Sequence, residues 1–245
     1  MKQSHTSWDS VANWYNSWVG KKGSHYHRKT AIPTVMELLE LKKNEKVFDV
    51  GAGSGVLAPH ILRANASYTG VDVSPKLLKL ARRYHPKARF ILEDVRRVGQ
   101  HPALKEQRFT AAVFLLSIQD MEPLDEVLAA TSEVLVKGAR VVIFMVHPCF
   151  RVPKQSGWGW DKKRKAHYRR IDRYLSPMSV PMKQHKRGVT RSFHRPLEHY
   201  VNALARAGFG IDLMRELPDV PLKEKAKDNN EDIPLFLAIR AWKKL

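Results

Sequence analysis

Lys46-Val47-Phe48-Asp49-Val50-Gly51-Ala52-Gly53-Ser54-Gly55 is the stretch on which the fold turns. Residues 46–50 form a short apolar run ending at Gly51, which reads as a strand, and Val56–Ala64 has the spacing of a helix. Between them the chain is rich in glycine. Glycine lets a backbone turn sharply, approach a ligand closely and present N–H groups at a helix start. Gly53-Ser54-Gly55-Val56-Leu57-Ala58 also satisfies the G-x-G-x-x-A form of a dinucleotide-binding turn, and a plain strand–helix turn is a third reading.

Outward from this turn, strand and helix periods alternate, the signature of stacked βα units around a parallel sheet. Ser67–Val73 returns to strand, and Ser74 caps a helix that has Pro75 at its first position and runs to about Tyr84. Ala88–Leu92 reads as a third strand. Phe109–Ile118 is nearly all apolar, as in a central strand buried on both faces. Leu124–Val136 reads as a helix terminated by Lys137-Gly138, and Ala139–Val146 as a fifth strand. Pro196–Ala207 is helical, with Leu197, Tyr200, Val201 and Leu204 on one face and Gly208 as its stop. Phe209–Leu217 and Ile233–Trp242 read as final strands joined by a charged loop over Asp219–Asp232.

Asp72 ends the second strand, where a carboxylate can accept both hydrogen bonds of an adenosine ribose; capping the next helix is its other reading. Phe90-Ile91-Leu92-Glu93-Asp94-Val95 ends the third strand, and Ser117-Ile118-Gln119-Asp120 follows the fourth. With these segments the chain resembles the class I S-adenosylmethionine-dependent methyltransferases, in particular the branch of ubiquinone and menaquinone biosynthesis, over Lys46–Val146. The resemblance implies an α/β, Rossmann-like doubly wound fold. Its sheet is seven-stranded and mostly parallel with the last strand antiparallel, helices cover both faces, and a basic insertion follows the fifth strand. It implies that S-adenosyl-L-methionine is the cofactor, that Asp49 and the turn Gly51, Ala52, Gly53, Gly55 face its methionine part, and that Asp72 holds the ribose. It implies further that Asp94 reaches the adenine amino group, that Val73 and Val95 sandwich the ring, and that Ser117 belongs to the same site. The charge pattern agrees with a cationic cofactor. A chain with 43 Lys+Arg against 24 Asp+Glu, net +19, repels a sulfonium unless local carboxylates such as Asp49, Asp72, Glu93 and Asp94 reverse the sign.

Upstream, Trp8, Val11, Ala12, Tyr15 and Trp18 are spaced as one helix face, read as core or lid packing. Gly23-Ser24-His25-Tyr26-His27-Arg28 follows, and by the resemblance Tyr26, His27 and Arg28 are pocket residues of a segment that closes over the cofactor. After the fifth strand stand His147-Pro148-Cys149-Phe150-Arg151. His147 is read either as the base that deprotonates the acceptor or as a structural cap, and Asp120 has the same double reading.

Residues 151–195 carry 14 Lys/Arg and two acids, and so +12 of the net charge. The segment has no clear periodicity, and its aromatics Trp158, Trp160, Tyr168 and Tyr174 interleave with Lys162-Lys163-Arg164-Lys165 and Arg169-Arg170. Such a pattern suits a lid over an aromatic or anionic small molecule, a single-stranded RNA surface, or a solvated face. The small-molecule lid is preferred, with RNA as the alternative partner and a non-catalytic cofactor- or RNA-binding module as a third reading. The organisation expected is a helical lid segment (1–45), a cofactor-binding core (46–146), an acceptor-side insertion (147–195) and a C-terminal completion of the core (196–245).

Composition excludes several classes. With 43% hydrophobic and 27% charged residues the chain reads as globular, and it has no apolar run long enough to span a bilayer. Met1-Lys2-Gln3-Ser4-His5 opens no secretory signal, which makes the cytoplasm the expected location. Cys149, the single cysteine, permits no internal disulfide or cysteine-based zinc site and is expected to be a buried hydrophobe. No metal is expected.

Overall fold

The computed structural model of the chain describes residues 8–182, 190–220 and 232–244. A seven-stranded sheet is built from β1 (Lys46–Val50), β2 (Ser67–Asp72), β3 (Arg89–Leu92), β4 (Phe109–Leu115), β5 (Leu135–Val146), β10 (Phe209–Leu217) and β11 (Phe236–Lys243). Its order is β10-β11-β5-β4-β1-β2-β3. Only β11, the last strand in sequence, runs antiparallel to its neighbours β5 and β10. β1 and β4 are parallel neighbours at which the strand order reverses, so the connections that follow them leave on opposite faces and open a crevice at their carboxyl ends.

The two-residue period of β1 assigns its side chains to two layers. Phe48 and Val50 join the cluster under α5 (Leu124–Glu133) and α6 (Leu197–Arg206), while Val47 joins the one under α2 (Ile32–Leu39), α3 (Ala58–Arg63) and α4 (Pro75–Tyr84). Each such fully buried side chain contributes about 1.5–3 kcal/mol. Asp49 falls on the same side as Val47. The Ser74 cap is as expected, its hydroxyl accepting from the Leu77 amide at 3.2 Å.

Three expectations are corrected. The helix over 124–136 stops at Glu133, and Lys137-Gly138 lie inside β5. Leu135 pairs with Phe109 and Arg140 with Ala111, so β5 bulges between them, and Gly138, at φ +71°, serves that bulge rather than a helix end. Residues 147–195 are not irregular throughout. They contain the hairpin β6 (Ser156–Asp161) and β7 (Ala166–Ile171), and the pair β8 (Met178–Pro181) and β9 (Arg191–His194). The N-terminal face is split as well: in α1 (Ala12–Val19) Ala12 and Val19 are buried but Trp18 is 51% exposed. Most of the charged loop over 219–232, the chain start 1–7 and the basic positions 183, 186 and 187 lie outside the described residues.

Candidate active site

The turn after β1 directs its amides inward. Gly51 and Ala52 donate to the Val71 carbonyl at 2.9 and 3.0 Å, Gly55 to Ala52 at 2.8 Å, and Gly53 to Asp72 Oδ2 at 2.9 Å. A pyrophosphate cradle needs such N–H groups unengaged, so the dinucleotide reading loses its main physical support. Gly51, Gly53 and Gly55 all have positive φ. A Cβ at Gly53 would stand 3.1 Å from the Tyr15 hydroxyl, and one at Gly55 would stand 2.6 Å from the Phe90 ring. Gly53 thus keeps a passage open, whereas Gly55 is required by packing.

Beyond the turn lies a cavity of about 490 Å³ at the carboxyl ends of β1, β2, β3 and β4. Its wall includes Gly51, Gly53, Asp72, Val73, Asp94, Val95 and Ser117, together with Trp8, Tyr15, Leu77 and Met121. Six carboxylates (Asp72, Glu93, Asp94, Asp120, Glu122, Glu126) face one guanidinium, Arg96, around it. In a chain of net +19 this is a local reversal of sign, suited to a cationic ligand and hostile to a diphosphate.

The acids differ in state. Asp72 is buried, which raises its pKa, while the amides of Ser74 and Gly53 pull it back. Asp94 is held below the usual carboxylate range: burial opposes this, but the Arg96 side chain and amide outweigh it. Glu93 accepts from the Asp94 amide at 2.8 Å and pairs with Arg97 at 3.3 Å. Asp49 lies beneath the turn and off the cavity wall, as its β1 face dictates. Burial pushes its pKa up to about 7 despite the Tyr68 hydroxyl donating to Oδ2 at 2.6 Å, and Asp72 adds to the rise. Its Oδ1 has no partner among the described residues.

A second cavity, about 590 Å³, adjoins the first and shares Trp8, Tyr15, Leu116 and Asp120 with it. Trp14, Trp18, Tyr26, Phe193, Tyr200 and Phe236 supply aromatic walls, and Arg151, Lys154 and Arg195 supply cations. Asp120 is the acid common to both spaces. Burial pushes its pKa up to about 7, against the opposing pull of the Ser192 hydroxyl and the Arg195 guanidinium. A carboxyl with that proton affinity can accept a proton near neutral pH. Tyr15 is half-buried, and the desolvation of its hydroxyl, with Asp72, Asp49 and Asp120 adding to it, raises its pKa.

Residues 47–138 match the family model of a methyltransferase domain. A demethylmenaquinone methyltransferase of Tropheryma whipplei is 28% identical over 107 residues, 44% of each chain. A ubiquinone biosynthesis O-methyltransferase of Bordetella avium is 32% identical over 72 residues, 29% of this chain and 30% of its own. These alignments span less than half the length of the relatives they match. A crystal structure of an S-adenosylmethionine-dependent methyltransferase from Mesorhizobium loti superposes with a TM-score of 0.73 at 25% identity, covering 86% of this chain and 96% of that one. The chain carries a methyltransferase domain over residues 47–138, and its fold is similar to that of the S-adenosylmethionine-dependent enzyme of Mesorhizobium loti.

In this fold Asp72, Val73, Asp94, Val95, Ser117, Gly51 and Gly53 converge on the first cavity, while Ala52 and Gly55 pack behind its wall. Ser117 donates to the Val50 carbonyl at 2.6 Å and so fixes the end of β4 against β1. Tyr26 and His27 stand on the second cavity instead of the first, Tyr26 edge-on to Phe236 and beside Asp219. Arg28 lines neither; it donates to the Gly23 carbonyl.

His147 is not placed for proton removal. It is 1% exposed and lines neither cavity, its Nδ1 accepts from the Cys149 amide at 3.2 Å, and its Nε2 lies 2.8 Å from Glu216. Nε2 ties the end of β5 to β10 and Nδ1 caps the turn at Cys149, so both nitrogens are occupied. Cys149 is half-buried, with its thiol 3.3 Å from the Tyr174 hydroxyl. The aromatics expected to form the lid are elsewhere as well. Trp158 packs under Arg169, and Trp160 and Tyr168 are half-exposed on the β6–β7 hairpin. The N-terminal segment instead supplies Trp8, Trp14, Tyr15 and Trp18 to the wall of the second cavity. Among these Tyr15 was legible only as packing, though a hydroxyl on an otherwise apolar face was the available signal.

Proposed function

We propose that the protein is a methyltransferase that transfers a methyl group from S-adenosyl-L-methionine, held in the first cavity, to an oxygen, nitrogen or carbon of a small molecule held in the second. The observation that carries the reading is the shared wall: one carboxyl group, that of Asp120, borders both an acid-lined cavity and an aromatic one. The residues fit the cofactor. A cavity of this volume suits a nucleoside-sized ligand, Asp72 lies at the ribose position, Val73 and Val95 flank an apolar slot for the ring, and the carboxylate excess matches a sulfonium and an ammonium. When bound, the cofactor supplies an electrophilic methyl on sulfur. Asp120 accepts the acceptor's proton, Trp8 and Tyr15 exclude water, and the cavity walls orient the acceptor for in-line displacement. Asp94 serves the adenine amino group only by sharing its carboxylate with Arg96.

RNA binding through 151–195 is the alternative. It draws on the exposed Trp160, Tyr168 and Lys162–Lys165 at the hairpin. The walled second cavity favours a small acceptor, and with it a cytoplasmic small-molecule enzyme. No described helix is long and apolar enough to cross a membrane. Calorimetry with S-adenosylmethionine, S-adenosylhomocysteine and NAD tests the reading. Saturable heat with the first two and none with NAD is expected, and Asp72→Ala should weaken the binding by about 1.5–3 kcal/mol. Saturation by NAD alone would overturn it.

A further inference from the structure

Four side chains stand on the walls of both cavities, Trp8, Tyr15, Leu116 and Asp120, and a methyl group passing from one space to the other passes among them. Leu116 is apolar, and the Trp8 indole offers only an N–H, the positive end of a dipole. Side-chain lone pairs are presented by two groups, the Asp120 carboxyl and the Tyr15 hydroxyl. Asp120 is engaged from the acceptor side by the Ser192 hydroxyl and the Arg195 guanidinium. The Tyr15 hydroxyl makes no hydrogen bond among the described residues. Its oxygen is accessible from the cavities, unlike the sealed, unpartnered atoms of the interior such as Asp49 Oδ1.

Place and charge set what this oxygen meets. The end of the ring stands over the glycine turn, where a Cβ on Gly53 would lie 3.1 Å from the hydroxyl and 3.6 Å from the nearest ring carbons. Trp8 holds the ring edge-on, 5.6 Å between centroids. Asp72, Asp49 and Asp120 all act on the hydroxyl, from the end of β2, from beneath the turn and from the acceptor side. Burial, with these acids, raises its pKa, so it keeps its proton near neutral pH. Three acids around one point, in a chain of net +19, make that point the favourable place for a positive charge.

We infer that Tyr15 is a catalytic residue whose hydroxyl oxygen faces the sulfonium and the methyl group that leaves it. The inference rests on the reading of the two cavities as cofactor and acceptor sites. In the transfer the acceptor's lone pair forms the new bond to carbon, the pair of the broken carbon–sulfur bond stays with sulfur, and the acceptor's proton goes to Asp120. Tyr15 neither gains nor loses a proton. Its oxygen meets the polarised C–H bonds of a methyl on positive sulfur, a weak contact that holds the methyl in line with the second cavity. The contact lapses with the charge, so the site prefers the charged cofactor to the neutral product.

Calorimetry on the whole protein with S-adenosylmethionine and S-adenosylhomocysteine, which differ only in the sulfonium methyl and its charge, tests this. Tyr15→Phe removes the oxygen and breaks no hydrogen bond among the described residues. It should weaken S-adenosylmethionine by about threefold or more and leave S-adenosylhomocysteine within about twofold of the parent, the second value also showing that the variant is folded. A side chain that only packs or excludes water would lose both ligands alike or neither. S-adenosylmethionine labelled with carbon-13 in the methyl group gives a reading on the unmodified protein, independent of any variant. Its methyl protons, facing an oxygen, should resonate downfield of those of the free ligand, and Tyr15→Phe should remove the displacement. Equal weakening of both ligands, unchanged affinity for both, or methyl protons at or upfield of the free position overturns the inference. If neither ligand binds the unmodified protein, the methyltransferase reading beneath it falls instead.

Discussion

Asp49→Asn isolates the cost of the buried acid under the glycine turn. The carboxyl is buried, Tyr68 donates to one oxygen, and the other has no partner among the described residues. Its pKa rises from 3.8 to about 7 on folding. Because the folded value is the higher one, the stability associated with this group is fully present below about pH 4 and is lost progressively as pH rises to about 7. Roughly three units at about 1.4 kcal/mol each set an upper bound of about 4 kcal/mol, of which about 2–3 kcal/mol falls between pH 5 and pH 8. Asparagine keeps the shape and an acceptor for Tyr68 but does not ionise; its amide N–H group, placed where Oδ1 has no partner, costs about 1–3 kcal/mol at every pH. The variant should therefore be less stable than the parent at pH 5 and as stable or more stable at pH 8. Urea unfolding of the ligand-free protein at the two pH values measures the swing. A stability difference that is the same at both would mean that Asp49 titrates at an ordinary value, and the argument would fail.

Asp120→Asn should lower turnover by about 10²–10⁴ and flatten the rise of kcat/KM with pH that the parent shows around pH 7, because the ionised form is the base; full turnover in the variant would exclude it as base. Gly55→Ala should destabilise the protein by more than about 2 kcal/mol, from a left-handed backbone and a Cβ 2.6 Å from Phe90, with thermal unfolding as the measure and an unchanged melting point as the contrary result.

The fold was legible wherever local signals agreed. The apolar run of β4, the Ser74-Pro75 cap and the two final strands each declare themselves within a few residues. Gly138 misled because a glycine after a helical period is a stop signal, and only the pairing of β5 with β4 shows it to be a bulge. The hairpin β6–β7 was missed because both its faces are polar or half-exposed, so the two-residue period of Trp158 and Trp160 had no apolar partner face to mark it. The lining of the first cavity follows the strand ends and was readable as a set, whereas Tyr26, expected with it, stands on the second cavity because nothing local reports which wall a side chain joins. His147 and Asp120 looked alike in sequence, each a polar residue after a strand. What separates them is long range: Glu216 on β10 occupies the histidine, while Asp120 stands between two cavities. Arg195 gave no signal, since one arginine among 14 basic residues has no mark in sequence.

Trp8, Tyr15, Leu116 and Asp120 form a partition with an occupied side possible on each face. Two of the four belong to the N-terminal segment, which is pinned by Asp9 accepting from the Ser74 hydroxyl at 3.0 Å and the Lys76 amide at 2.9 Å, and by the Tyr84 hydroxyl donating to Asn16 at 2.9 Å. A ligand that stiffens this partition from one side lowers the ordering cost left for a ligand on the other, so the two affinities are thermodynamically linked without any second conformation. The linkage is reciprocal: the factor by which the first ligand tightens the second is the factor by which the second tightens the first. Loosening the Asp9 clasp should therefore weaken both ligands together, and order of addition and order of product release become properties of a segment outside the sheet.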